Sequence, residues 1–282
     1  MLSTFHSAIV DVRDFGSAVD DYARLLGQRP GWLETDTAQD TRSALFALSN
    51  MLLEIRSGDA AAGSGAPGLA GIRLACEGGD DLVARFAARG VPLVDEGSRR
   101  AEGSGGSKGE GLSRTWRSLR VDATASRSLP VELICDEAGS RPIWKDAGLE
   151  DPRSAVQALD HVVVFSADVE ATRSFYRDGL GIRLALDRSF EARGVRLLFF
   201  RLGGVTIEIG GRLGAKPDAA GADRFGGLAW QVADIDAIQA RLRADRFDVS
   251  EIRDGNKPGT RVCTVRDPVH GVPTLLLEPV PR

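Results

Sequence analysis

Hydrophobic and polar residues follow the same order twice along the 282 residues of the chain. Each copy begins with a β-branched run, at residues 8–12 and 162–165, which is typical of a strand. An aspartate that could cap a helix follows, and a stretch of helical periodicity then ends at a glycine. Short alternating runs come next and indicate further strands. The pattern therefore predicts a β-α-β-β-β unit in each place.

The two copies align without gaps, because Asp168 lies 154 residues after Asp14 and other residues recur at the same offset. The further matched pairs are Tyr22 and Tyr176, Gly27 and Gly181, and Glu54 and Glu208. Several coincidences at one offset indicate an internal repeat, which must be recognised before any fold is assigned.

A second βαβββ unit follows each copy after a stretch rich in Gly, Ala and Pro. Residues 71–75 and 227–232 predict the first strands of these later units, and residues 130–134 and 273–277 predict their last strands. The chain is thus predicted to contain four βαβββ modules in two pairs. We expect domains at 1–137 and 156–282, joined by a linker at 138–155. Residues 99–111 are poor in hydrophobic residues and predict a loop between strands.

Composition narrows the expected partners. A net charge of −4 with a pI of about 5.5 offers no basic surface for nucleic acid. The apolar runs are strand-sized, so we expect no membrane span and no signal peptide. The three cysteines are far apart, which argues against a disulfide framework and favours a reducing cytoplasm. The expected partner is a small organic molecule, bound by a monomer or homodimer.

One segment resembles a known family. His161 stands on the first predicted strand of the third module, Asp168 follows seven residues later, and Phe175-Tyr176 lies on the helix. This arrangement resembles the opening of a glyoxalase-type module, and Asp267-Pro268 resembles the family's turn before its last strand. The chain is similar to the vicinal-oxygen-chelate superfamily, which includes glyoxalases, bleomycin-resistance proteins and extradiol dioxygenases.

The resemblance implies an α+β fold in which four βαβββ modules pair into two half-open barrels. In this family a divalent metal, when present, lies inside a barrel and chelates two adjacent substrate oxygens as a Lewis acid. Its ligands are carried by the first and last strands of the modules.

His161 and Glu208 match two of these ligand positions in the second half of the chain. The partner module departs from the pattern, because Gly227 stands where a second histidine is often found and Leu275 where a glutamate is expected. Glu278 lies three residues beyond Leu275, which places it on the opposite face of a strand. It is a less favoured ligand.

The first half offers Glu54 and Glu132 at suitable positions. His6 is one residue away from the ligand position, which Ser7 occupies, so His6 would face inward only through a bulge. The position of the second histidine is again a glycine, Gly71. If the third module paired with the second, His161, Glu208 and Glu132 would share one cavity and could hold Zn, Mn, Fe, Ni or Mg.

Other residues have a simple structural interpretation beside a functional one. His270 is either a solvated turn residue or a general acid/base at the barrel rim. Trp230 and Phe199 are either core residues or walls of a substrate pocket. Arg196 and Arg201 are either solvated or paired with a substrate carboxylate.

Three functions remain open. The first is a metal- or carboxylate-assisted lyase, isomerase or epimerase of the glyoxalase type, with Glu208 as ligand or base. The second is a metal-free protein that sequesters a ligand, as the bleomycin-resistance relatives do. The third is an extradiol dioxygenase, for which the predicted ligands suit the chemistry poorly.

Overall fold

In the computed structural model of the protein, the described residues are 1–36, 41–57, 67–78, 81–105, 111–136, 151–216, 218 and 221–279. Most of the predicted linker 138–155 lies outside them, so the domain boundaries stay a prediction. Within these ranges no helix combines the length and apolarity of a membrane span.

The described residues of the N-terminal half form two helices, α1 (Phe15–Leu26) and α2 (Leu82–Ala87). Its strands are β1 (Leu2–Val12), β2 (Trp32–Asp36), β3 (Thr41–Ala47), β4 (Leu52–Ser57), β5 (Gly68–Cys76), β6 (Leu93–Gly105), β7 (Gly111–Val121) and β8 (Val131–Asp136).

The described residues of the C-terminal half repeat this order. Helix α3 (Val169–Ser174) continues into a π-helical turn, Phe175–Gly179, and α4 is Ile235–Ala244. The strands are β9 (Val156–Phe165), β10 (Arg183–Phe190), β11 (Val195–Leu202), β12 (Val205–Arg212), β13 (Arg224–Val232), β14 (Asp248–Val249), β15 (Arg253–Asp254), β16 (Arg261–Asp267) and β17 (Thr274–Glu278).

The predicted helix signals are confirmed. The Asp14 side chain accepts a hydrogen bond from the Ser17 backbone N–H, and the Asp168 side chain does the same for Ala171. Helix α1 ends at Gly27, whose φ of 70° lies in the left-handed region that glycine adopts without strain.

Modules pair within each half of the chain. Strand β1 pairs with β5 and β9 pairs with β13, both antiparallel. The interpretation that the third module pairs with the second is therefore wrong, because β9 finds its partner strand in the fourth module.

The two sheets differ in closure. The N-terminal sheet is a closed barrel, since β2 also pairs with β6 through Gly103, Ser104 and Gly105. The predicted loop at 99–111 is thus wrong for residues 99–105, which extend β6. Gly103 permits the close approach because a Cβ there would collide with Trp32 and Leu33. The C-terminal sheet is open, with β10 at one edge and β14 at the other.

Each sheet has two faces. Residues such as Val162 and Val164 point toward the helices and join the main hydrophobic core. Their neighbours, such as His161 and Val163, point to the other side, because side chains alternate along a strand. We call this second side the inner face. The chemistry of the molecule is expected there, since the opposite face is filled by packed helices.

The two halves contact each other through equivalent turns, each of which packs against the first strand of the other half. The side chain of Asn50, in the turn between β3 and β4, donates to the carbonyl of Leu159 at 2.8 Å and accepts from its N–H at 3.0 Å. The equivalent turn of the C-terminal half brings Gly203 against Thr4 of β1, where a Cβ would collide with the backbone.

Cys76 and Cys135 form a disulfide, with their Cα atoms 5.2 Å apart. The expectation of no disulfide is therefore wrong. Its cause is the parallel pairing of β5 with β8, which sets Ala75 beside Ile134 and so brings the next residues together. Fifty-nine residues of sequence separation gave no sign of this contact.

Candidate active site in the C-terminal half

The strand register shows which positions of the two halves are equivalent. In the N-terminal half Ser7 lies opposite Arg73, and in the C-terminal half His161 lies opposite Ala229. The predicted positions Gly71 and Gly227 are each two residues away and pair instead with Ile9 and Val163. The residues facing the two first-strand positions are thus an arginine and an alanine.

On the inner face of the N-terminal barrel, Arg73 offsets the negative charges of two glutamates. Its guanidinium is ion-paired with Glu54 and donates to Glu132 at 2.8 Å. Glu54 is only 3% exposed and also accepts from the Ser43 hydroxyl at 2.8 Å. Burial raises the pKa of Glu54, but the neighbouring arginines, Arg73 above all, outweigh it and lower the pKa to about 2. Both glutamates of the barrel interior therefore form ion pairs with Arg73.

The inner face of the C-terminal sheet carries a different set. His161 Nδ1 lies 2.8 Å from Asp160 Oδ1, and the other carboxylate oxygen of Asp160 accepts from the Gln231 amide at 2.8 Å. His161 Nε2 lies 3.9 Å from Glu208 Oε2. Gln231 thus fixes Asp160, Asp160 orients the imidazole, and the imidazole turns its second nitrogen toward Glu208.

A local irregularity of β9 makes this arrangement. The register with β13 shifts between Ala229 and Trp230, which face His161 and Leu159, so Asp160 is an extra residue in the strand. Such a bulge re-aims side chains. It lets the adjacent residues Asp160 and His161 interact with each other.

The two carboxylates of the site have opposite electrostatic surroundings. Burial raises the pKa of Glu208; the charge of His161 offsets this only in part, and Asp160 adds to it. For Asp160, burial is outweighed by the hydrogen bonds from His161 and Gln231, so its pKa is lowered. A carboxyl with a raised pKa beside an ionised one is a recurring arrangement for acid–base chemistry.

Two of the four predicted pocket residues lie beside this set. Phe199 on β11 is directly across from Glu208, and Arg201 is across from Thr206, which in turn pairs with His161. The positive charge of Arg201 contributes to the lowered pKa of Asp160.

The other two are not part of the site. Trp230 is fully buried in the core with the helices, because it follows Ala229 directly in β13 and adjacent strand residues point to opposite faces. Arg196 points to the helix side as well, where it is held by Asp187 and Glu170. Both pocket predictions are wrong for this reason.

His270 and Glu278 also lie elsewhere. His270 Nε2 is 2.9 Å from Asp21 Oδ2 and its ring stacks on Tyr22, so it joins the last turn of the chain to α1. A Glu278 oxygen accepts from the N–H of Ile235 at the start of α4. The prediction that Glu278 faces away from the barrel interior is confirmed.

His6 is the extra residue of a bulge in β1, since the register shifts between Phe5 and Ser7. Its Nδ1 lies 3.1 Å from the Ser7 hydroxyl. The gap-free repeat is confirmed, because Ser7 rather than His6 occupies the position of His161.

The donor set does not suit a metal held by the protein. Glu132 is engaged by Arg73 in the other half and does not join His161 and Glu208. Ala229 faces His161 and pairs in turn with Leu275, so neither position supplies a ligand. Among the described residues no group of three His, Cys, Asp or Glu side chains could hold an ion. Two protein donors leave a divalent metal weakly bound.

The structure brings together four residues that the sequence analysis predicted, His161, Glu208, Phe199 and Arg201. The sequence analysis did not predict the contacts of Asp160, Gln231 and Arg73. The signal for Asp160 was its place next to His161 at the offset of the repeat, where the N-terminal half has His6. Gln231 and Arg73 become visible only through pairing across strands.

Comparison with known proteins agrees with this architecture. Residues 158–274 match the profile of the Glyoxalase/Bleomycin resistance protein/Dioxygenase superfamily. The mitochondrial methylmalonyl-CoA epimerase of Mus musculus is 27% identical over 144 residues, which are 50% of this chain and 70% of that protein.

Two solved structures share the fold over nearly the whole chain. A mutant of 4-hydroxymandelate synthase from Streptomyces coelicolor has a TM-score of 0.70 at 16% identity, covering 98% of this chain and 92% of that one. The Mn(II)-bound glyoxalase from Novosphingobium aromaticivorans has a TM-score of 0.63 at 17% identity, covering 98% and 82%. The profile match thus assigns residues 158–274 to the glyoxalase/bleomycin-resistance/dioxygenase superfamily, the vicinal-oxygen-chelate proteins, and the chain as a whole shares the two-domain fold of these solved structures.

Proposed function

We propose that this protein is an enzyme that removes and returns a proton at a carbon next to a carbonyl, as an epimerase or isomerase does, at the inner face of its C-terminal sheet. The observation that carries the proposal is the contrast between Glu208 and its repeat partner Glu54. Glu54 forms an ion pair with Arg73, whereas among the described residues no arginine forms an ion pair with Glu208, whose pKa is raised by burial.

The raised pKa suits Glu208 to act as the base. A carboxylate in water is too weak to take a proton from carbon, and a pKa closer to neutrality makes it stronger while it is still ionised. Glu208 Oε takes the proton, and the electron pair of the C–H bond moves into the carbonyl group to form an enolate.

His161 would stabilise that enolate. Its Nδ1–H donates to Asp160, so a protonated ring presents an Nε2–H to the same space as the Glu208 carboxylate. This hydrogen is placed to donate to the enolate oxygen, which gains negative charge during the reaction. Once the Glu208 carboxyl has exchanged its proton with solvent, delivery of the new proton to the same face of the enolate carbon completes isotope exchange with retention. Inversion requires a proton from the opposite face, which water would supply.

The murine relative, a methylmalonyl-CoA epimerase, suggests the first substrate to try. Methylmalonyl-CoA contains a carbon acid between two carbonyl groups, which is the chemistry this site supports. Incubated with the protein in D₂O, it should lose the ¹H NMR signal of its α-proton faster than in the buffer control.

Glu208→Gln should reduce that rate by at least about 100-fold, since general-base catalysis contributes roughly 10²–10⁴. Glu191→Gln, an exposed residue after β10, is the matched control and should exchange at the wild-type rate. If the wild type exchanges neither methylmalonyl-CoA nor simpler 2-methyl-3-oxo thioesters, the proposal fails.

A metal-free sequestering protein is the second candidate. The observation that favours it is the apolar character of the inner face around the site. Ala229 and Leu275 lie where metal-ligating side chains would be expected, and the side chain of Phe165 is 42% exposed. Tight binding of an aromatic compound by both wild type and Glu208→Gln, without exchange, would support it.

An extradiol dioxygenase is disfavoured, because that chemistry uses two histidines and a carboxylate. Among the described residues, His161 is the one histidine on this face.

A further inference from the structure

A cavity of about 540 Å³ lies between the two halves of the molecule. Its walls come from α2 and the start of β1 on one side, and from the segment before β10 and the end of β11 on the other. The volume is within the range of roughly 300–1,000 Å³ that small-molecule sites occupy.

The described lining of the cavity contains arginines and no carboxylates. Arg85 and Arg89 contribute from α2 and its C-terminal turn, and Arg183 and Arg201 contribute from the C-terminal sheet. Arg89 is held by the Asp178 carbonyl at 3.1 Å, and Arg85 is within 4 Å of Asp81.

Arg183 and Arg201 are the unusual pair. They lie directly opposite each other on β10 and β11, so their side chains share one face. Like charges in this position repel and destabilise a sheet. No carboxylate within the described ranges forms an ion pair with either, whereas Arg196 on the same strand is paired with two. An anion between the two guanidinium groups would remove the repulsion.

The remaining walls are apolar. Leu2, Phe86, Leu180 and Ile182 line the cavity beside the arginines. A ligand that matches both parts has an anionic group at one end and an apolar chain of several carbons next to it.

We propose that this cavity binds such an organic anion, with Arg183 and Arg201 holding the charged group and the apolar walls holding the chain. Arg201 also connects the cavity to the candidate active site, since its charge acts on Asp160. From Arg201 through Thr206 to His161 are two strand spacings, roughly 10 Å. The further idea that this anionic group is the part of the substrate that the protein binds rests on the proposed function.

Isothermal titration calorimetry with octyl phosphate, below its micelle concentration, tests the site. We expect binding to the wild type, weaker binding of butyl phosphate, and a loss of affinity of at least tenfold in Arg183→Gln/Arg201→Gln. Arg212→Gln, an exposed arginine at the end of β12, is the control and should bind as the wild type does. No binding to the wild type, equal affinity for octyl phosphate and inorganic phosphate, or unchanged affinity in the double variant would each overturn the site.

The same titration separates this proposal from the proposed function. Glu208→Gln should bind octyl phosphate normally while losing proton exchange. Binding without exchange in the wild type would retain the anion site and reject the enzyme, and exchange without binding would do the reverse.

Discussion

Arg73 and Ala229 occupy the same register position in the two halves, opposite Ser7 and opposite His161. The arginine joins Glu54 and Glu132 in one ion network, and the alanine supplies no cation to Glu208. A single position thus separates a barrel whose inner carboxylates form ion pairs with arginine from a sheet whose inner carboxylate has a pKa raised by burial.

Ala229→Arg should convert the active half into a copy of the other. A guanidinium beside Glu208 would lower the pKa of that carboxyl and weaken it as a base. We expect the exchange rate at pH 7 to fall by about 100-fold and the acid limb of the pH–rate profile to move to lower pH. Ala229→Met fills similar space without charge, so an identical pH profile in both variants would contradict the electrostatic explanation.

Asp160→Asn should impair the orientation of His161 without removing a group that touches substrate. An amide no longer favours the Nδ1–H tautomer and does not stabilise a protonated ring. We expect kcat to fall by about 10- to 100-fold with little change in KM. Asp187→Asn, on the helix side of the same sheet, is the control. A change in KM alone would show that Asp160 serves only substrate binding.

Arg73→Met should destabilise the N-terminal barrel. It leaves the almost fully buried Glu54 without its ion-pair partner, and breaking a buried pair on one side costs about 3–5 kcal/mol. Urea unfolding measures the loss, and Arg196→Met, whose ion pairs are more exposed, should cost less than about 1 kcal/mol. Adding Glu54→Gln and Glu132→Gln to Arg73→Met should restore most of the stability; without restoration the buried charge is not the cause.

Acid should weaken the fold through Glu54. Its folded-state pKa of about 2 lies below its ordinary value of 4.5, so the stabilisation is present above pH 4.5 and is lost as the pH falls toward 2. The difference corresponds to about 3 kcal/mol. The stability gap between wild type and Glu54→Gln should therefore shrink between pH 6 and pH 2, whereas Glu191→Gln should show no such trend.

Metal analysis should find no stoichiometric ion. With only His161 and Glu208 available on the described inner face, we expect less than about 0.2 equivalents of Zn, Mn, Fe, Ni or Mg after reconstitution and dialysis. Proton exchange should survive chelators. One equivalent of metal that disappears in His161→Ala would show that further ligands complete the site.

Much of the architecture follows from the sequence, because a repeat is visible in single residues. Asp14, Gly27 and Glu54 recur at one offset, and the structure places each pair in equivalent positions. Closure of the first sheet could not be predicted, since the pairing of Trp32 with Gly105 joins strands more than seventy residues apart. The disulfide between Cys76 and Cys135 could not be predicted either, because it also joins strands that are distant in the sequence.

The sequence could predict which residues of a single strand belong to the candidate site, but not which residues meet across strands. His161 and Glu208 could be assigned from motif and repeat, and the face of Glu278 from its odd spacing to Leu275. Trp230 was misplaced because it lies three residues after Gly227, and an odd spacing in a strand leads to the opposite face. Arg196 was misplaced because its acidic partners lie on α3 and β10.

Asn50 connects the N-terminal half to the candidate site of the other half. Its amide completes the backbone hydrogen bonds of Leu159, the residue immediately before the bulge that carries Asp160 and His161. The geometry of the reacting groups is therefore braced by a turn that belongs to the other repeat. Separating the two halves would leave the C-terminal half with the residues of the candidate site but without the two Asn50 hydrogen bonds that hold the strand beside them.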